Sequence, residues 1–265
     1  MRTKHPLLRA VLRLSATVIV IPLLLLLLWC VTARWPWPQL FPRQFSLRAL
    51  RELLFGPAKL WRLLGSSIAL ASCVAVLGTA VGLLTARATE LYEFRGKALI
   101  RFGSFLPLLV PGTVFAMGIQ VTLLRLRLAD TVAGVVLVHL LAALPYCITL
   151  MTDLTRRVGD DLEDQAAVLG APPWRAFTET SLPLLLPGIL SSMSMAFIIS
   201  YSQYFTTLIV GGGRVRTLAL VLVPYIQSGD RSLSAIYAAA FVLSAAAVFA
   251  LFEWALRRSR RWLES

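Results

Sequence analysis

The side chains that usually carry catalysis are scarce in this sequence. His5 and His139 are the only histidines, too few for a histidine metal site. Cys30, Cys73 and Cys147 each sit singly inside an apolar run with no metal spacing, and read as buried structural thiols. No Ser-His-Asp constellation, H-E-x-x-H or C-x-x-C occurs. The only Gly-Lys pair, Gly96-Lys97, is followed by Ala98, so the chain has no phosphate-cradling loop of its own. Two other sets of residues remain. One is the polar stretch EDQAAVLGAPPWRAFTETSLPLLLPG, from Glu163 to Gly188, whose acids, small residues and aromatics suit contact with another protein rather than bond making. The other is a group of polar side chains inside apolar runs: Gln120, His139, Tyr146, Tyr201, Gln203 and Tyr204. Such groups are costly against lipid and face a bundle interior or water. They either line a pathway or hydrogen-bond one helix to another, and for His139 the second reading is favoured.

The elements that must position these residues are membrane spans. The chain of 265 residues is 58% hydrophobic and 15% charged, where soluble domains carry about 25% charged residues; its mean hydropathy is +0.76. Six stretches approach the roughly 20 apolar residues that cross a bilayer: Ala16–Val31, Leu64–Ala86, Phe105–Leu124, Val132–Met151, Pro187–Val210 and Ala235–Leu256. An all-α polytopic membrane protein follows, because only helices satisfy their backbone in lipid without the alternating strands of a barrel. Gly78 and Gly82 in the second span, and Gly112 and Gly118 in the third, are expected to allow close helix packing. Pro107 and Pro111 predict an early break in the third span, and Pro145 a break in the fourth. The net charge of +13 is spread between apolar runs, which points to lipid headgroups and away from nucleic acid.

Arg2, Lys4, Arg9 and Arg13 before the first apolar run resemble a secretory signal, with Val31-Thr32-Ala33 fitting a cleavage site. A retained first helix is expected instead, since six spans keep both chain ends on one side. With both ends inside, 15 of the 26 Lys and Arg residues fall on inner segments and 11 on outer ones. Much of the outer charge lies in Ser46–Arg62, which reads as an amphipathic interfacial helix, and the basic tail over 257–265 anchors the end. Three regions follow: 1–63 with the first span and interfacial helix, a core over 64–256, and the tail.

In that orientation 153–186 is the longest inner segment and the acidic one. It reads as two short helices with an elbow. Leu162, Ala166 and Leu169 fall at helical spacing, Gly170 supplies a left-handed stop, and Pro172 and Pro173 suit a new helix start. Trp174 and Phe177 form aromatic roots, and Pro183 and Pro187 break the second helix before the fifth span. Such a projection either docks into a groove on another protein or packs on its own helix ends.

Asp164-Gln165-Ala166, then Gly170, then Thr180-Ser181-Leu182-Pro183 resemble the Glu-Ala-Ala, three residues, Gly, nine residues, Ile-x-Leu-Pro motif of binding-protein-dependent ABC importer permeases. Every spacing is kept; Asp164, Gln165 and Thr180 depart in type. "LGAPPWRAF" and "LPLLLPGIL" also resemble the family's text, and the likeness runs from "GSSIALA" onward. The resemblance implies the six-helix type I importer permease fold in a bacterial inner membrane, with both termini cytoplasmic. It implies a coupling helix that sits in a cleft of a separate ATP-binding subunit, with Glu163, Asp164, Gln165, Ala166, Gly170, Ala171, Trp174, Leu182 and Pro183 at or behind that contact. Asp164 would cap the helix or meet an arginine of the partner. ATP and Mg would belong to the partner subunit, with no cofactor in this chain. A second permease chain, a periplasmic substrate-binding protein and membrane lipid complete the implied partners, with Arg214 and Arg216 facing the binding protein. "SYSQYFTTLIVGGG" resembles a stretch of iron and polyamine importer permeases in which carboxylates stand at the positions of Ser202 and Gln203. The competing classes are a membrane enzyme without ABC partners and a membrane docking or receptor protein.

Overall fold

A computed structural model describes residues 6–35, 39, 41–56 and 59–263. Arg2, Lys4 and His5 therefore lie outside the described residues, as do the last two residues of the basic tail. The chain divides into two compact units, one made of 1–63 and 221–244, the other of 64–220 and 245–265.

The first unit opens with helix α1, Pro6–Cys30, followed by a two-stranded ribbon, Thr32–Arg34 against Gln44–Phe45. The expected interfacial helix over 46–62 is shorter than its charge pattern suggested. Helix α2 covers Arg48–Phe55, with Ala49 and Leu53 on its buried face, and stops at Gly56; Leu60 already begins the next helix. Val221–Ser244 return to this unit, where Tyr237 is fully buried and stacks on Tyr225 at 4.8 Å.

The second unit is built from α3 (Leu60–Leu91, from Leu64 on), α4 (Lys97–Leu109), α5 (Gly112–Arg125), α6 (Val132–Val158), α7 (Asp161–Val168), α8 (Pro173–Ala176), α9 (Leu182–Tyr201), α10 (Phe205–Gly211) and the first residues of α11 (Leu218–Ser228). The last helix, α12 (Arg231–Leu263), contributes its first part to one unit and its second to the other. Five helices are long and apolar enough to span, and a sixth span results if α4 and α5 count as one. That pair is bent by 110°. The cause is local: Val110 precedes Pro111, whose ring keeps it out of the helical region, and Val110 is extended at φ −98°. The expected break in the third span is therefore real and sharp. The expected break at Pro145 is not, since α6 runs through it; a proline inside a span is tolerated when neighbours satisfy the freed backbone.

The α3, α6 and α9 helices pack along a small-residue seam. A Cβ on Gly82 would lie 2.9 Å from the backbone of Cys147, and one on Gly78 would lie 3.3 Å from its Sγ. Beside them the Thr79 hydroxyl donates to Ser192 at 3.0 Å. In lipid, such close backbone approach and interhelical hydrogen bonding replace the hydrophobic drive. Gly112 and Gly118 have open space where a side chain would be, so neither packs closely against another described helix of this chain. Cys30 and Cys147 are buried as expected, whereas Cys73 is exposed.

Candidate functional site: an anchored elbow between α6 and α9

Helix α6 ends at Val158, Gly159 and Asp160 lie between, and α7 starts at Asp161 with Asp161, Glu163 and Asp164 in its first turn, where carboxylates favour the helix dipole. It stops as the sequence demands. Gly170 adopts φ +87°, the Gly170 N–H donates to the Ala167 carbonyl at 2.9 Å, and the Ala171 N–H donates to the Ala166 carbonyl at 3.0 Å. This left-handed cap closes the helix and turns the chain. Pro172 and Pro173 open α8. From there the helix does not break at Pro183 or Pro187, as expected, but passes through one widened π turn, Phe177–Ser181, into α9. Pro183 offers no N–H to the Glu179 carbonyl and its ring crowds that carbonyl, so widening the turn just before it is the economical solution.

The root of the elbow is an ion pair. Arg87, near the end of α3, grips Glu163 with two parallel hydrogen bonds, Nη1 to Oε1 at 2.9 Å and Nη2 to Oε2 at 2.7 Å. Both side chains are largely buried, at 16% and 17% exposure. The guanidinium also stacks over the Phe177 ring, 4.7 Å from its centroid. Below lies an apolar cluster of Ala86, Met151 and Leu185, with Leu154 and Phe177 packed against it. Burial alone would push the Glu163 carboxyl upward. The Arg87 hydrogen bonds and the Arg87 charge outweigh it and hold the carboxyl below its ordinary value near 4.5. One turn further along α3, Glu90 accepts from Arg101 of α4 at 2.7 Å and from Arg156 of α6 at 3.0 Å. A cavity of about 270 Å³ opens beside it, lined in part by Thr85, Thr149 and Asp153.

The tip is the opposite in character. Val168 and Leu169 are 88% and 87% exposed and Trp174 is 68% exposed, so three large apolar side chains crown the elbow unpartnered. Asp164 and Gln165 are exposed, Ala166 and Ala171 half-buried, and Leu182 and Pro183 half-buried at the base. Two expectations change. Asp164 does not cap α7, and its carboxylate has no hydrogen-bond or ion-pair partner among the described residues. Trp174 is not a root; only Phe177 is. Glu163, grouped in the sequence with the contact surface, is held inward by Arg87.

Several of the polar residues of the spans converge on α10, through Thr206, Thr207 and Ile209. His139 is 1% exposed, with Nδ1 2.9 Å from Ser200 Oγ and Nε2 3.0 Å from Thr207 Oγ1, so the ring ties α6 to α9 and α10. Gln120 donates to the Ile209 carbonyl at 3.1 Å. Tyr201 is buried and stacks on Phe197. The expected fifth span is interrupted at 202–204 before α10, and Gln203 accepts a hydrogen bond there from Thr206. Tyr204 is half-buried at the start of α10, and Tyr146 is exposed on α6. Sequence reading missed Arg87 and Glu90 as site residues. The available signal was a cation and an anion one turn apart at the end of an apolar run, where each charge needs a partner.

Long apolar helices, a sharply bent span and an anchored elbow with a bare apolar tip define a multi-pass membrane protein. The family model described as binding-protein-dependent transport system inner membrane component matches residues 78–264, well over half of the chain, and the chain belongs to that family. It is thus an inner-membrane component of an ABC importer. A putative 2-aminoethylphosphonate transport system permease protein of Salmonella choleraesuis is 23% identical over 86% of this chain and 84% of its own length. A molybdenum transport system permease protein of Mycobacterium tuberculosis is 33% identical over 58% of this chain and 62% of its own. A putative ABC transporter permease protein of Streptomyces antibioticus is 34% identical over 54% of this chain, which spans 64% of the Streptomyces protein.

Proposed function

We propose that the chain forms one half of a translocation pathway that alternates its access. The elbow from α7 to α8 is the lever through which a separate ATP-binding subunit drives that motion. One observation carries this reading: the tip of Val168, Leu169 and Trp174 is exposed and apolar while its root is held by the Arg87–Glu163 pair. An exposed apolar cluster on a stiff support suits burial in a partner's groove. A rigid root is what a lever needs, because a load on the tip is then passed to α3 and α9 rather than absorbed by bending. Exposed Asp164 adds a carboxylate for a cation on the partner.

The elbow is then cytoplasmic, both termini lie on the cytoplasmic side, and ATP and Mg belong to the partner. A second permease chain, identical or similar, completes the pathway, and a substrate-binding protein delivers cargo to the opposite face. The relatives carry names for 2-aminoethylphosphonate and molybdenum. The stretch from Phe197 to Gly213 contains no carboxylate, which fits a cargo that is not a polycation.

Co-purification of the ATP-binding subunit, together with uptake in cells, tests the reading. Gly170→Trp forces a side chain onto a φ of +87° at the tip, and Asp164→Lys reverses the tip's charge. Both are expected to abolish uptake and lower ATPase retention at least tenfold while insertion is unchanged. Normal uptake in both variants, or labelling that places the elbow outside, overturns it.

A further inference from the structure

Two cavities of the first unit share a wall, and their chemistries differ. The larger, about 800 Å³, lies where α1 ends and α12 begins, and arginines 43, 48 and 231 line it. The smaller, about 450 Å³, is an apolar groove lined by Pro22, Leu25 and Leu26 of α1 and by Ala235 and Ala238 of α12. Trp29, Gly229 and Arg231 belong to both. Each volume falls within the range of about 300–1,000 Å³ typical of ligand pockets.

We propose that this pair of cavities binds one anionic phospholipid, with the phosphate headgroup on the arginines and an acyl chain in the groove. The charge balance favours an anion. Three guanidinium groups face one carboxylate, Asp230, which is engaged twice: by Arg48 at 3.4 Å and by the Leu233 N–H at 3.1 Å. Arg43 and Arg231 have no carboxylate partner among the described residues. Arg231 instead stacks on the Trp29 ring, 5.2 Å from its centroid, which positions the cation in the cavity wall. Trp29 in turn stacks on Trp35 at 4.9 Å. A tryptophan pair at the end of a span marks the level of the lipid headgroups.

The groove supplies the second half of the argument. From Trp29 to Pro22, and from Arg231 to Ala238, the lining runs seven residues, about 10 Å along each helix. It leads from the arginines toward the hydrocarbon. Ala235 and Ala238 leave the space that a larger side chain would fill, and Leu25 is exposed along its edge. An anionic head joined to an apolar chain is the chemistry that meets both cavities at once. A free phosphate would use only the upper one, and an acidic protein rim would leave the lower one bare. The proposal needs only the membrane setting and is independent of the elbow's role.

The full chain, purified with its partners in detergent, is examined by native mass spectrometry and thermal melting. Phosphatidylglycerol, phosphatidylcholine and inorganic phosphate are the probes. Retention of about one phosphatidylglycerol per chain is expected, at least tenfold in preference to phosphatidylcholine, with a rise in melting temperature that phosphate does not reproduce. Arg43→Gln with Arg231→Gln should abolish the preference, and Ala238→Phe, which fills the groove, should weaken retention with the arginines intact. Equal retention of both lipids by the unaltered protein overturns the proposal without recourse to any variant. So does a melting shift produced equally by phosphate, or one produced only by an acidic binding protein.

Discussion

Removing Arg87 is the most informative single change. Arg87→Ala deletes two charge-assisted hydrogen bonds to Glu163, the stacking on Phe177, and the only cation among the described residues bonded to that carboxylate. Charge-assisted bonds are worth about 1.5–3 kcal/mol each, and stranding one partner of a fully buried pair costs about 3–5 kcal/mol. The pair here is about one-sixth exposed, and water can reach the orphaned carboxylate. A loss of about 2–3 kcal/mol is the reasonable figure. If the elbow opens locally, that is roughly a 30- to 150-fold rise in its open population. Hydrogen–deuterium exchange of the peptide over residues 161–171 reads this directly, and α6 serves as the internal control. Arg87→Lys, which keeps the charge but not the fork, should fall between the two. Exchange of α7 changed less than twofold in Arg87→Ala would refute the reasoning. The same pair sets a pH dependence. Because Glu163 is held below its ordinary value near 4.5, its contribution is complete above that pH. It fades as pH falls through the lowered value and the carboxylate is protonated. Elbow protection against proteolysis should therefore be flat from neutral pH down to the ordinary carboxylate value near 4.5 and be lost only at more acidic pH.

The remaining expectations concern the spans. Gly82→Val places atoms against the Cys147 backbone and should destabilise by about 1–3 kcal/mol in a thermal melt, whereas Gly118→Ala, with open space around it, should be near neutral. His139→Phe leaves the Ser200 hydroxyl without its ring partner and should cost about 1–3 kcal/mol, while Thr207 keeps its bond to the Gln203 carbonyl. Adding Ser200→Ala should recover part of the loss; no recovery would assign the cost to packing alone.

Composition alone determined that this chain is a bundle of membrane helices, because lipid leaves the backbone no other way to satisfy itself. Local rules that act over a few residues were also legible. Gly170 stops α7, Pro172 and Pro173 start α8, and the residue before Pro111 cannot stay helical. The spacing of Asp164-Gln165-Ala166, Gly170 and Thr180-Ser181-Leu182-Pro183 was enough to mark the elbow. Other features depended on partners far apart in the chain. That Pro145 leaves α6 unbroken, that Gly82 but not Gly118 is a packing site, and that Trp174 points away while Phe177 points in follow from which helix lies alongside. The same holds for Arg87. Its sequence neighbourhood shows a cation at the end of a span and Glu163 shows an acid in a loop. Only folding brings them within 2.7 Å and makes one structural joint of them. Helices, turns and caps are set by bonds reaching three or four residues, whereas an ion pair across 76 positions exists only once the helices between have packed.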